Sequence, residues 1–500
     1  MNTLVRDDYL SSRIYLCLVV ILAVSQVVPI WAVAYPPLLD YPSHLARITI
    51  LSHYFDVPAF RDAYELNIRL LPNLAIDALG IPVALAAGVE TAGKLFLSLA
   101  IVLFYLGVDR LSRALHGRPS WLVLAQAYFV LNVSFLYGFV NYVFGVALFL
   151  VSFAVWVATR RKPDARGAAV TCALMVACYF AHLTAFAFFA VGIAVFLAGE
   201  VAARHATLRS LALGVVPIVV GGLVYLLARL PHQSGVIVWD GFYGKLKGLG
   251  WLVLAYNWPI DVAIGSVFAV AATFLVLRRT QFTGHRSAIA LAGVFVVLFV
   301  GLPTGLHSGY YIDRRFLIPA VIVALAGVRF EASTRTVQTA LGLALLATLA
   351  RSACVGYYWI ELDSKLAQQV ELQRQIPDSA RVYSMAFIDI SDKQQWMHEM
   401  AFDKASLYAT VNRHAIVSGL ISERDSFSVV HRTFLPIGRA LPSANVDPER
   451  VGWHQIFDHY TYMWCFRLTR PYRDFMDAHC TRIAEGADVL VYTDCLAGAT

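Results

Sequence analysis

The residues best suited to chemistry come early in the chain. Pro36-Pro37-Leu38-Leu39-Asp40-Tyr41-Pro42-Ser43-His44-Leu45-Ala46-Arg47 follows the first long apolar run. Pro36 and Pro37 stop that run and stiffen its exit. Pro42 suits the first turn of a helix. Leu45, Ile48, Leu51 and Phe55 recur at roughly helical spacing, which predicts an amphipathic helix over 43–55 lying along a membrane. His44 and Arg47 then share one face of it. Asp40 stands just before the helix, where a carboxylate can deprotonate a hydroxyl or bind a metal. The plainer reading of the same spacing makes Asp40 a helix cap, with His44 and Arg47 as interfacial anchors.

Other constellations are spread along the chain. Leu306-His307-Ser308-Gly309-Tyr310-Tyr311-Ile312-Asp313-Arg314-Arg315 ends in two adjacent arginines. A guanidinium stays charged and forms bidentate bonds, so Arg314 or Arg315 can recognise a lipid phosphate. The competing reading is an Asp313–Arg pair with snorkelling to headgroups. Phe180-Ala181-His182-Leu183-Thr184 turns between two apolar runs. His182 there either orients an acceptor, binds a metal together with Asp40 and His44, or simply ends a helix. Tyr137-Gly138-Phe139-Val140-Asn141-Tyr142 reads as a tight turn, with Asn141 set to meet a sugar hydroxyl, or as a turn in an interfacial belt. Trp239, Asp240 and Tyr243 form a further loop whose aromatic faces suit sugar stacking or, equally, the same belt.

The elements that position these residues must sit in lipid. Of 500 residues, 59% are hydrophobic and only 15% charged, and the mean hydropathy is +0.63. A soluble domain carries about a quarter charged residues. The net charge of +7 is not a nucleic-acid signature, because the basic residues sit in short clusters between apolar runs. Spans are expected near 14–34, 92–109, 119–136, 139–159, 167–181, 184–200, 208–229, 259–277, 287–304, 315–328 and 336–355, about eleven in all. The run from Ile14 is read as an uncleaved first span rather than a signal peptide.

Lys and Arg set the orientation. With the N-terminus inside, the connectors holding Arg110 and Arg113, Arg160 to Arg166, Arg204 and Arg209, Arg278 to Arg286, and Arg329 and Arg335 all fall on the cytoplasmic side. Leu70–Gly88 is apolar enough to be a span, but counting it as one reverses every later connector. It is therefore expected to be a hydrophobic helix of an outer loop running from about 35 to 91. The expected transmembrane domain covers 1–358. The rest, 359–500, has mixed composition and reads as a small α/β domain outside the membrane. A helix is expected over Leu362–Gln375, and strands over Arg381–Phe387 and Val489–Tyr492. In an oxidising compartment two of Cys465, Cys480 and Cys495 can pair, and Cys480–Cys495 is the favoured choice. The C-terminal part shows no phosphate loop, GxSxG or HExxH, and the chain shows no internal repeat.

An Asp just after the first span, followed by membrane-parallel helices, resembles the GT-C superfamily of membrane glycosyltransferases. The string Leu39 to Arg47 is itself similar to that of a group of bacterial membrane proteins with this layout. The resemblance implies a polytopic helical fold with an outer C-terminal domain in the plasma membrane. It implies transfer of a sugar from a polyprenyl phosphate to a lipid or glycan acceptor of the envelope, on the outer face. Asp40 would be the catalytic base or a metal ligand, and a divalent metal is the one cofactor it brings into view. His44, Arg47, Asn141, His182, Asp240, Arg314 and Arg315 are the substrate-binding candidates. Many members carry a pair of acidic residues where this chain has Asp40 followed by Tyr41. The alternatives are a transporter or lipid flippase, or a non-catalytic membrane scaffold with an outer binding domain. A transporter predicts polar groups near the bilayer midplane, whereas the polar candidates here fall on one side.

Overall fold

The computed structural model describes residues 2–160, 164–229, 236–277, 282–306, 309–330, 335–388, 396–421, 427–432, 442–443 and 445–495. His307 and Ser308 of the arginine-bearing string lie outside these, as do parts of the basic connectors near 161–163 and 278–281.

Helix α1 (Asn2–Ala32) ends short of the Pro36-Pro37 pair, and α2 (Tyr41–His53) follows it. Next come α3 (Pro58–Ala63), strand β1 (Tyr64–Leu66) and α4 (Ala75–Ala87). The first loop thus contains a helix at 75–87, shorter than a span and packed against α2 and α5 (Val89–His116). Then follow α6 (Leu122–Gln126), α7 (Val133–Leu136), α8 (Val140–Thr159), α9 (Ala165–Ala181), α10 (Leu183–Ala202) and α11 (Leu208–Ala228). Strand β2 (Ile237–Val238) and helices α12 (Phe242–Gly248) and α13 (Trp258–Leu277) come next. They are followed by β3 (Phe282–Gly284), α14 (Arg286–Gly301), β4 (Gly305–Leu306), β5 (Gly309–Tyr310), α15 (Leu317–Ala326), β6 (Val328–Phe330) and the long α16 (Arg335–Leu372).

Six helices among the described residues are long and apolar enough to cross a membrane. Two of the expected spans take another form. The 119–136 segment is not one helix but breaks at Asn132, whose side chain accepts from the Ser134 and Phe135 N–H groups and donates to the Phe129 and Val130 carbonyls. A mid-segment N-cap starts a new helix, and hydropathy is blind to it. The carbonyls freed nearby are met by Arg351, which is 2% exposed. Its Nη2 donates to Leu131 O at 2.8 Å and Leu254 O at 3.2 Å, and its ring partner is Tyr128 at 5.0 Å. Backbone that is irregular at membrane depth needs such internal partners. The 315–328 segment yields only the 10-residue α15, about 15 Å long against a hydrocarbon core of about 30 Å.

The expected surface helix is also different in kind. All residues from Tyr41 to Ile50 of α2 are buried. The helix is enclosed by α4, α5 and α18 (Tyr408–Arg413) of the C-terminal part. Its apolar positions are spaced for a membrane surface, but its other face is covered by protein.

The C-terminal part is α/β. Its sheet comprises β7 (Arg381–Ala386), β8 (Ile416–Val417), β10 (Tyr462–Phe466), β11 (Thr481–Glu485) and β12 (Val489–Thr493), with β9 (Val429–His431) elsewhere. The spatial order is β11-β12-β10-β7-β8; β10 runs parallel to β7 and antiparallel to β12. Helices α17 (Trp396–Met400), α19 (Trp453–Phe457) and α20 (Arg470–His479) complete it. Cys480 and Cys495 form a disulfide, and Cys465 is free and buried. The boundary expected at 358/359 falls inside α16. β9 leaves the sheet to pair antiparallel with β1, placing Tyr64 opposite His431, so the first loop and the C-terminal part share a ladder.

Candidate functional site

A cavity of about 520 Å³ opens beside the N-terminus of α2. Its wall includes Asp40, His44, Arg47, Asn141, His182 and Arg315. Six of the candidates named from the sequence therefore converge.

Asp40 is set by backbone contacts. Its N–H donates to Tyr137 O at 3.0 Å, and its own carbonyl accepts from Ser43 and His44. Gly138 lies against it at φ +73. Asp40 is the N-cap residue of α2 by position, as the plain reading expects, but its carboxylate makes no capping hydrogen bond to the helix. It is half-buried, at the positive end of a helix, and its charge acts on Arg315 and on Tyr137. The strand of chain leading to it is gripped from afar. Asp363 of α16 accepts from the N–H groups of Ala34 at 3.0 Å and Tyr35 at 2.6 Å, and Lys94 donates to Val33 O at 2.6 Å.

His44 and Arg47 do share a face, but they are interior groups rather than membrane anchors. Arg47 is 0% exposed. Its Nε reaches Asp77 Oδ1 at 2.8 Å and Oδ2 at 3.0 Å, its Nη2 faces His44 Nδ1 at 3.0 Å, and its guanidinium lies 4.7 Å over Phe427. Ser428 Oγ donates to the same Asp77 at 2.7 Å. Burial and the Arg47 charge push the His44 pKa well down, so its ring is neutral.

His182 caps α10: its Nδ1 accepts from Thr184 N–H at 3.1 Å. It is both the helix-end residue of the plain reading and part of the cavity wall. Burial and Arg315 push its pKa well down too. Arg315 Nη1 lies 3.4 Å from His182 Nε2. The guanidinium also rests over Phe139 and Tyr142, at 5.5 and 5.9 Å, while the Tyr142 hydroxyl donates to the Arg315 carbonyl at 2.6 Å.

Asn141 has its amide committed. Its Oδ1 accepts from Ile76 N–H at 3.0 Å and its Nδ2 donates to Asn73 O at 2.6 Å. It ties α4 to α8 while also lining the cavity. Arg314 and Asp240 are not in the cavity wall. Arg314 Nη2 pairs with Asp240 Oδ2 at 2.9 Å, with Trp251 and Tyr311 against the guanidinium at 5.2 and 4.7 Å. The Arg314 bond holds the Asp240 carboxyl below its ordinary value, against the opposing effect of desolvation. Asp313, expected as an arginine partner, instead accepts from Lys245 Nζ at 2.7 Å.

Several wall residues were not singled out beforehand: Tyr310 and Tyr311, and Met400, Ile421 and Phe427 from the C-terminal part. The two tyrosines stood beside the arginine pair. Arg351 was also missed, although a charge inside an expected span is a signal in itself.

No family model and no curated protein matches the chain. Among solved structures it is similar to ArnT from Cupriavidus metallidurans in the apo state, with a TM-score of 0.58 at 12% identity, over 98% of this chain and 99% of that one. It is also similar to the same protein bound to undecaprenyl phosphate, with a TM-score of 0.54 at 12% identity, over 97% and 98%. The fold is GT-C-like. That likeness spans the helical part and the C-terminal part together. Within this fold, the first-loop Asp40 lies on the wall of the cavity just described.

Proposed function

We propose that the chain is a membrane glycosyltransferase that moves a sugar from a polyprenyl-phosphate donor to a hydroxyl of an envelope acceptor, on the outer face of a bacterial plasma membrane. The GT-C-like fold supports this, as does the undecaprenyl phosphate bound by one structural neighbour. The observation that carries it is the meeting of the Asp40 carboxylate and the Arg315 guanidinium on a single cavity with aromatic walls.

The roles follow from the charges. Asp40 takes the proton of the acceptor hydroxyl as its oxygen attacks the anomeric carbon. The bond from that carbon to the carrier phosphate breaks, and its electron pair leaves with the phosphate oxygen. Arg315 lies where the phosphate gains charge, and fixed donors aimed at developing charge are the strongest catalytic device available to this reaction. Tyr137, Tyr142, Tyr310 and Tyr311 supply faces for the sugar ring. Arg314, already neutralised by Asp240, is the weaker of the two phosphate candidates.

The test is transfer by the purified full chain, supplied with polyprenyl-phosphate sugars and envelope acceptors, for wild type and Asp40→Asn. Wild type transfers and the variant does not. Transfer unchanged in Asp40→Asn removes the assignment of the base.

A further inference from the structure

Neither histidine of the cavity offers it a free lone pair. His44 Nδ1 faces Arg47 Nη2 at 3.0 Å. A guanidinium has only donors, so Nδ1 carries the lone pair, and the ring hydrogen on Nε2 is taken up by the Gly138 backbone. His182 Nδ1 accepts from the Thr184 backbone N–H at 3.1 Å and lies 2.7 Å from the Thr184 hydroxyl; the backbone N–H can only donate and its contact is shorter than that of Arg315 with Nε2, which assigns the ring hydrogen to Nε2. In that tautomer Arg315 Nη1 faces an N–H, at 3.4 Å from Nε2, longer than an ordinary hydrogen bond. Two donors facing one another have no bond to make. One acceptor oxygen placed between them satisfies both.

A divalent cation, the cofactor brought into view by the family resemblance, needs the opposite. It binds lone pairs of neutral imidazole or of carboxylates. Asp40 is the single carboxylate in the described cavity wall. Asp77, the nearby acid of the first loop, is taken up by Arg47 and Ser428. Among the described residues no group of three or more His, Cys, Asp or Glu is placed to hold a metal ion. The donor set does not fit the metal; it fits an anion.

We propose that the site holds the carrier phosphate with an organic clamp, Arg315 Nη1 and His182 Nε2–H bracketing one phosphate oxygen, in place of a divalent cation. This rests on the transfer reading above. When the sugar leaves, the phosphate retains the electron pair of the broken bond, and the clamp meets the added charge without a metal.

The experiment uses the full chain in detergent with EDTA present and a short-chain polyprenyl phosphate as probe. Wild type binds it; Arg315→Ala and His182→Ala each weaken binding about tenfold or more, the loss of one charge-assisted hydrogen bond. Thermal denaturation of each variant shows whether it is folded, and Arg315→Lys, which keeps the charge, recovers part of the binding. Binding that appears only on adding Mg²⁺ or Mn²⁺ overturns the clamp. So does a saturable Mn²⁺ site, read by electron paramagnetic resonance, that Asp40→Asn removes. Inorganic phosphate binding as tightly as the lipid overturns assignment of the clamp to a carrier. Metal-free lipid binding that needs Arg315 and His182, without sugar transfer from any donor, sinks the transferase reading and leaves the clamp standing.

Discussion

Gly138 leaves no room for a side chain beside Asp40. An added Cβ would stand 2.9 Å from the Asp40 nitrogen and 2.9 Å from the Tyr41 nitrogen, and the residue sits at φ +73. Both neighbours are backbone atoms at the start of α2, so neither swings aside. Gly138→Ala combines left-handed strain of about 1–2 kcal/mol with a push on the residue assigned as base. The expected result is a small fall in melting temperature and at least a tenfold fall in transfer. A variant as active as wild type shows that Asp40 need not be held so closely.

The two adjacent arginines separate by substitution. Arg315→Ala is expected to lower turnover about a hundredfold or more, as loss of a donor to developing charge does. Arg314→Ala, which breaks the bond to Asp240 outside the cavity wall, is expected to change turnover only a few-fold. Equal losses in the two would move the phosphate contact away from Arg315.

Arg47 and Asp77 form a buried pair whose halves are unequal to lose. Removing Arg47 strands a carboxylate that is 4% exposed, a cost of about 3–5 kcal/mol. The double variant Arg47→Met, Asp77→Leu is expected to recover most of the lost stability. A thermal double-mutant cycle reads this, and additive losses contradict a paired interaction.

Acid should loosen the ladder between the first loop and the C-terminal part. Burial lowers the His431 pKa from 6.5 to about 4. The folded chain thus binds fewer protons than the unfolded chain between those values. Stability from this group is complete above 6.5 and is lost as pH falls toward 4, by about 3 kcal/mol at most. His44 and His182, shifted the same way, add to the trend. Melting temperatures from neutral to acid pH are expected to fall less steeply in His431→Phe than in wild type; parallel curves remove His431 as the cause.

What the sequence revealed depended on which physical signal a residue carries. The helix over 75–87 was legible because the Lys and Arg positions contradict it as a span, and charge placement is a long-range rule written locally. Asp40, His44 and His182 stood out as polar residues at the ends of apolar runs. Arg314 and Arg315 were inseparable, since a 3-10 turn over 314–316 sends adjacent side chains to different partners. The break at Asn132 was hidden because a cap replaces backbone partners without altering hydropathy. Phe427 and Ile421 were invisible as wall residues because nothing local marks a contact made across most of the chain.

That last contact gives the site an order in time. Asp40 is made early, yet the wall around it includes Met400, Ile421 and Phe427, and the β1–β9 ladder joins residue 64 to residue 431. A nascent chain therefore carries Asp40 long before it owns the whole cavity wall. The Asp40 carboxylate stays without the full wall around it until residues 400–431 have been made and have reached the compartment of the first loop. A product truncated before Met400 therefore lacks that side of the cavity wall, whatever its helices do in the bilayer.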